Sequence, residues 1–253
     1  RYSLGANDFV GIDTSWNKQA EWYSDLLANN PDSYQERVIK PNLLRLMTIA
    51  PGENILDLAC GHGFFSAVFY EQRANVIGVD AAPDLIAIAK RVHPDLTFHV
   101  AGADKLPIKD HDIDQVACIM AIQNMDNVKA VLSECARVLK SGGRLHLVMN
   151  HPAFRIPKQS SWQWDEKNKT QFRRMDGYLS ESRVKIQMHP GDKPKETTIS
   201  FHRPLQYYVK LLKNAGLVIT NIEEWISHRQ SQPGPRAKAE NQIRKEIPLF
   251  LYL

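Results

Sequence analysis

Long apolar runs are missing from this chain: no stretch approaches the roughly 18 uninterrupted apolar residues that a membrane span requires. The opening residues, RYSLGANDFV, also lack the apolar core of a secretory leader. A cytoplasmic protein with no membrane partner is expected. Cysteine is scarce. Cys60, Cys118 and Cys135 stand far apart inside apolar segments, which argues for reduced core thiols over disulfides or a zinc site. The charge is +4, yet there is no dense Lys/Arg stripe, so nucleic acid is not an expected partner. The charge is nonetheless uneven. Residues 1–150 hold 14 basic and 18 acidic side chains, whereas residues 151–253 hold 18 and 10. The two parts are therefore expected to do different jobs.

What is present is a βα rhythm. With 253 residues and 43% apolar content, the chain can bury one substantial core. Short β-branched runs alternate with amphipathic stretches from Glu53 onward, the pattern of a parallel sheet. Strands are predicted at 54–59, 75–80, 96–101, 114–120 and 144–149. Helices are predicted at 64–73, 83–93 and 127–140, the last stopped by Ser141-Gly142-Gly143. Upstream, Trp16 to Leu27 and Ser33 to Ala50 read as two helices forming a cap over residues 1–52. The rhythm breaks after Met149. Residues 151–201 read as an insertion containing a hairpin from 183–189 and 196–201, and forming either a substrate lid or only its own small core. The core resumes over 202–253 with a helix at Pro204 to Ala215, a strand at Val218 to Trp225, a polar loop at Ser227 to Lys245 and a last strand at Pro248 to Leu253.

In an open α/β sheet, ligands bind beyond the carboxyl ends of the strands. Here the first strand carries Asp57 and runs into Gly61-His62-Gly63, the second ends in Asp80, and the third is followed by Ala103-Asp104. This acidic rim repels a pyrophosphate and suits a ligand with hydroxyls and a positive charge. It disfavours NAD. The absence of any tyrosine with a lysine four residues on removes the Tyr-x-x-x-Lys pair of short-chain oxidoreductases as well. S-adenosylmethionine, with its ribose diol, exocyclic amine, ammonium and sulfonium, meets the description. Asp80 would accept the ribose hydroxyls, Asp104 the adenine amine, and the glycines would admit the ligand close to the backbone. Asp57 would either brace the loop or bind the ammonium.

The segments DLACGHG, VIGVDAAPDLI, AGADKLPIKDHDID and ARVLKSGGRLHLV together resemble the successive motifs of the class I S-adenosylmethionine-dependent methyltransferases, over residues 53–150. SFHRPLQYYVKLLKNAGLVITNIEEW and PLFLYL resemble the closing elements of the small-molecule, type 11-like branch. The resemblance implies a Rossmann-like, seven-stranded α/β sheet whose last strand is antiparallel. It also implies cofactor contacts at Asp57, Ala59, Gly61, Gly63, Asp80, Ala81, Ala103, Asp104 and Leu106, a methyl-transfer pocket lined by the segment Met120-Ala121-Ile122-Gln123-Asn124, and an N-terminal helix whose aromatics, such as Tyr23, close over the cofactor. His62 departs from the small or acidic residue usual at its place. Asn150-His151-Pro152-Ala153-Phe154 only partly resembles the Asn-Pro-Pro-Tyr tetrad of base-amine methyltransferases, and it follows the wrong strand. His151 is instead a general-base candidate. His202, beside Arg203, is a second catalytic candidate, for a substrate anion; a structural role stands against each. The implied activity is methyl transfer to a small-molecule acceptor. The rivals are an RNA or protein methyltransferase and a non-catalytic S-adenosylmethionine-binding protein.

Overall fold

A computed structural model describes residues 30–187 and 197–253. The predicted helix over Trp16 to Leu27, with Tyr23, lies outside them. Seven strands form one sheet: β1 (Asn54–Leu58), β2 (Asn75–Asp80), β3 (Thr97–Val100), β4 (Ile113–Ile119), β5 (Leu139–Asn150), β10 (Glu223–Trp225) and β11 (Phe250–Tyr252), in the order β10-β11-β5-β4-β1-β2-β3. Pairing is parallel from β3 through β1 and β4 to β5, and β11 runs antiparallel to both of its neighbours. The seven-stranded α/β sheet with an antiparallel last strand is thus the one the motifs imply.

Alternation along β1 sorts the two faces. Leu56 and Leu58 face a core shared with α4 (Val128–Val138) and α5 (Leu205–Asn214), through Leu132, Cys135, Tyr208 and Leu212. Ile55 faces the other core, with α1 (Lys40–Met47) and α2 (Phe64–Glu71), through Leu43, Met47 and Phe69. A further helix, α3 (Pro83–Val92), buries Leu85, Ile86, Ile88 and Ala89. All three cysteines are buried free thiols. No described helix is long and apolar enough to cross a membrane.

Several boundaries differ from expectation, each for a local reason. The helix predicted over Ser33 to Ala50 begins as a π-helical turn, Gln35–Ile39, before becoming α1. Pro41 has no N–H to offer the carbonyl of Arg37, so the ordinary ladder cannot run through. The helix predicted to 140 stops at Val138, and Leu139 already pairs with Ile113 before a register shift leads into the regular part of β5. The strand predicted at 218–225 is only β10, because β11 offers three residues to pair with it. The predicted polar loop contains α6 (Ala237–Arg244), a helix that buries none of its residues.

The insertion carries two hairpins where one was expected. The expected one is β8 (Ser182–Gln187) with β9 (Thr197–His202). The unexpected one is β6 (Ser160–Asp165) with β7 (Thr170–Met175), turned where the Asp165 carboxylate accepts hydrogen bonds from the backbone N–H groups of Lys167 and Asn168.

Candidate functional site

The carboxyl ends of β1, β2 and β4 open onto a cavity of about 500 Å³, within the range of small-molecule sites. Its floor is Asp57, Asp80 and the backbone from Ala59 to Gly61; Ala81, Ala103 and Asp104 form one side. Met120, Ala121 and Asn124 stand at the end of β4, and Arg183, Ile199 and Phe201 of the β8–β9 hairpin close the outside. Gln35, from the π-helical turn, reaches the wall too.

The floor is held by carboxylates and main chain. Asp80 accepts the Gly61 N–H through one oxygen and the Ala82 N–H through the other, each at 2.9 Å. It thereby ties the glycine loop to the start of α3 at Pro83. Burial raises its pKa, and these backbone donors pull it back. Asp57 is only 2% exposed, and its hydrogen-bond donor is the Ser66 hydroxyl of α2, at 2.6 Å. Burial, with the Asp80 charge adding to it, pushes Asp57 up to about 7. Among the described residues, neither carboxylate has a cationic partner.

Two backbone features aim the floor at the cavity. Ala59 and Met120, each just past a strand end, adopt left-handed φ values of 58° and 56°. Non-glycine residues there cost about 1–2 kcal/mol, and such strain gathers at functional sites. Behind the loop, Phe98 of β3 fills the hollows left by two glycines. A Cβ on Gly78 would stand 2.5 Å from its ring, and one on Gly63, at φ 89°, would stand 2.9 Å from it. Gly63 is therefore needed for packing behind the loop, and it does not line the cavity. His62 does. Burial and the nearby His93 lower its pKa to about 4, which leaves the imidazole neutral.

The structure brings Asp57, Ala59, Gly61, Asp80, Ala81, Ala103, Asp104, Met120 and Ala121 to one cavity. Asn124 apart, it places the remaining described candidates elsewhere, Gly63 behind the loop and Ile122 in the core. Leu106 is a core residue whose N–H is taken by Glu134 at 2.8 Å. Gln123 is buried behind the wall, donating to the Met120 carbonyl at 2.7 Å. His151 lies in the turn after β5, with Nε2 at 2.6 Å from Glu224 and Nδ1 accepting the Ala153 N–H at 3.2 Å. Burial lowers its pKa against the pull of Glu224. His202 donates Nε2–H to the Tyr178 carbonyl at 2.7 Å. Both rings are thus occupied as structural struts away from the cavity. Arg203 likewise donates to the Met125 and Asp126 carbonyls and lies over Phe201 at 4.5 Å, fastening the loop after β4 to the insertion. Asn124, expected to line the methyl-transfer pocket, does line the cavity. Residues that sequence reasoning passed over include Phe64, Phe65 and Arg183. The first two sit directly after the glycine loop, and that adjacency was the signal available for them.

Residues 56–147 match the family model described as a methyltransferase domain. The demethylmenaquinone methyltransferase of Beutenbergia cavernae is 32% identical over 139 residues, 55% of this chain and 56% of that protein. The chain spans about half the length of the curated relatives it matches. Among solved structures, an S-adenosylmethionine-dependent methyltransferase from Mesorhizobium loti superposes with a TM-score of 0.67 at 24% identity, covering 86% of this chain and 97% of that one. The 1,6-didemethyltoxoflavin-N1-methyltransferase of Burkholderia thailandensis, solved with its substrate and S-adenosylhomocysteine, gives 0.57 at 14% identity and covers 100% and 90%. At those identities the structural likeness speaks for the fold.

Proposed function

We propose that residues 56–147, which match the methyltransferase-domain family model, form a class I S-adenosylmethionine-dependent methyltransferase domain, and that the protein catalyses methyl transfer by direct displacement to a planar small-molecule acceptor. The observation that carries this reading is the pair of desolvated carboxyls, Asp57 and Asp80, on the cavity floor without a basic partner among the described residues. A buried acid held near neutrality is costly unless a cation or donor meets it. The cofactor's ammonium and ribose hydroxyls are such partners. Asp57 would take the ammonium, Asp80 the ribose and Asp104 the adenine amine, while Gly61 leaves the backbone open to close approach. When bound, S-adenosylmethionine supplies an electrophilic methyl on a positively charged sulfur.

The chain's own contribution is then positioning and exclusion of water. Met120 and Ala121, turned by the strained end of β4, form the wall beyond the floor. Phe64, Phe65 and Phe201 offer flat apolar surface, which suits a ring held face-on. Neutral His62 adds no positive charge to a site meant for a cation. Relatives named for demethylmenaquinone methylation support a ring-bearing acceptor for this chain as well.

Isothermal titration of the full chain with S-adenosylmethionine, followed by release of the demethylated cofactor against a panel of quinols, phenols and heteroaromatic rings, tests the reading. Binding together with turnover of at least one ring acceptor is the expected result. Tight binding with turnover only on RNA or protein would overturn the acceptor class, and no binding would overturn the whole.

A further inference from the structure

Two segments far apart in the chain meet at the outer end of the cavity. One is the run after β4, with Asn124, Met125, Asp126 and Asn127; the other is the β8–β9 hairpin, with Arg183, Ile199 and Phe201. Arg203 stands behind both. It is only 4% exposed and does not line the cavity itself. Pro204 follows it, and a residue before proline is kept out of the helical region, so the alternation of β9 carries one step past His202. Phe201 and Arg203 therefore project to the same side of the hairpin.

The guanidinium is used on its edge and on its face. Its Nη1–H and Nη2–H groups donate to the Met125 and Asp126 carbonyls at 2.9 and 2.8 Å. Its central carbon lies 4.5 Å from the centre of the Phe201 ring and 5.3 Å from that of Tyr207 on α5. A planar, delocalised cation can make both kinds of contact at once, which a compact ammonium cannot. Burying a charge is expensive unless it is met, and here main chain of one wall and an aromatic face of the other meet it together. Any motion that parts the walls would strand the cation and two buried carbonyls. A flat ring can slide in against Phe201 without such motion, whereas a group standing out of the ring plane must push the walls apart. Resting on the methyltransferase reading above, we infer that Arg203 is a positioning residue for the acceptor. It holds the wall at 124–127 and the Phe201 wall at one separation, and thereby makes the site selective for flat acceptors over bulky ones.

The first test is hydrogen exchange on the ligand-free full chain, comparing wild type with Arg203→Lys, which keeps the charge and loses the fork, and with Arg203→Met. The amides of Asn124, Met125 and Val128, which donate to the Ala121, Ile122 and Asp126 carbonyls, report on the clamped wall. The amides of Gly61 and Ala82, which donate to Asp80, report on the floor. Exchange of the first set should quicken at least about tenfold in Arg203→Lys, the scale of a lost hydrogen bond to a charged group, with the floor amides unchanged. Unchanged exchange at 124–128, or acceleration spread equally to the floor, would overturn the positioning role. The second test pairs each ring acceptor turned over from the panel with its tert-butyl derivative. Wild type should prefer the flat member, and Arg203→Lys should shrink that kcat/KM ratio at least about fivefold, through KM, with S-adenosylmethionine affinity within about twofold of wild type. No preference in wild type, or a preference untouched by the substitution, would overturn the selectivity even if Arg203→Met fails to fold. The exchange measurement needs neither cofactor nor turnover, so failure of the clamp is distinct from failure to bind S-adenosylmethionine.

Discussion

The cavity floor, drawn from residues 57–104, is acidic and is held by main chain, whereas its outer rim, drawn from Arg183, Ile199 and Phe201 of the β8–β9 hairpin, carries no acid and is built from side chains. The net charges of the two parts of the chain have the same signs. A floor tied by backbone hydrogen bonds to Asp80 keeps its shape whatever most side chains do, which suits a ligand common to a family. A rim of side chains on a hairpin can be rewritten residue by residue, which suits a ligand that differs among relatives.

If that division is real, damage to the floor should abolish cofactor binding and damage to the rim should not. The largest effect is expected for Asp80→Ala, which frees the Gly61 and Ala82 N–H groups and removes the proposed acceptor for the ribose hydroxyls. S-adenosylmethionine affinity should fall at least about tenfold, given roughly 1.5–3 kcal/mol for a hydrogen bond to a charged group. An unchanged dissociation constant in calorimetry would break the comparison.

Next comes a pH effect from Asp57, whose pKa of about 7 in the fold lies above its ordinary value of 3.8. Because the fold raises it, the stability linked to this group is complete below pH 4 and is lost as pH rises through 7. Asp57→Asn should therefore gain in melting temperature over wild type as pH goes from 5 to 8. A cation needs the ionised form, so wild-type affinity for S-adenosylmethionine should rise by up to about tenfold from pH 6 to 8, and this rise should vanish in Asp57→Asn. A flat affinity profile in wild type would remove Asp57 from the cation site.

On the rim, Arg183→Ala should raise the acceptor KM severalfold while leaving cofactor affinity within about twofold. A large loss of cofactor affinity would show that rim and floor are not separable. The smallest effect on transfer is expected for His151→Gln, since that ring is engaged by Glu224 and the Ala153 N–H away from the cavity. Its kcat should stay within about threefold, with a lower melting temperature as the visible consequence. A kcat loss of 10²-fold or more, the scale of a missing general base, would return His151 to the chemistry.

How much of this was legible in the sequence depended on what each segment answers to. The first four strands and the acids at their ends follow from hydrophobic period and glycine placement, both local. Residues at the strand ends could be assigned, because topology alone delivers them to one place. His151 and His202 could not be assigned by residue type, because a histidine at a strand end reads alike whether it faces the cavity or a carboxylate 73 positions downstream. The β6–β7 hairpin escaped notice since SSWQWD and TQFRRM are mostly polar, and its turn is set by the Asp165 side chain with no Asn-Gly pair. Helix α6 has no buried residue and so no apolar stripe to announce it. Arg183 looks like a surface arginine until the β8–β9 hairpin folds back over the cavity.

Phe98 does not line the cavity, yet its ring occupies the volume that side chains at Gly63 and Gly78 would need. The contour offered to the nucleoside is therefore moulded from the reverse side of the sheet edge. Shortening Phe98 would leave every surface atom of the floor chemically intact and remove what presses the loop into form.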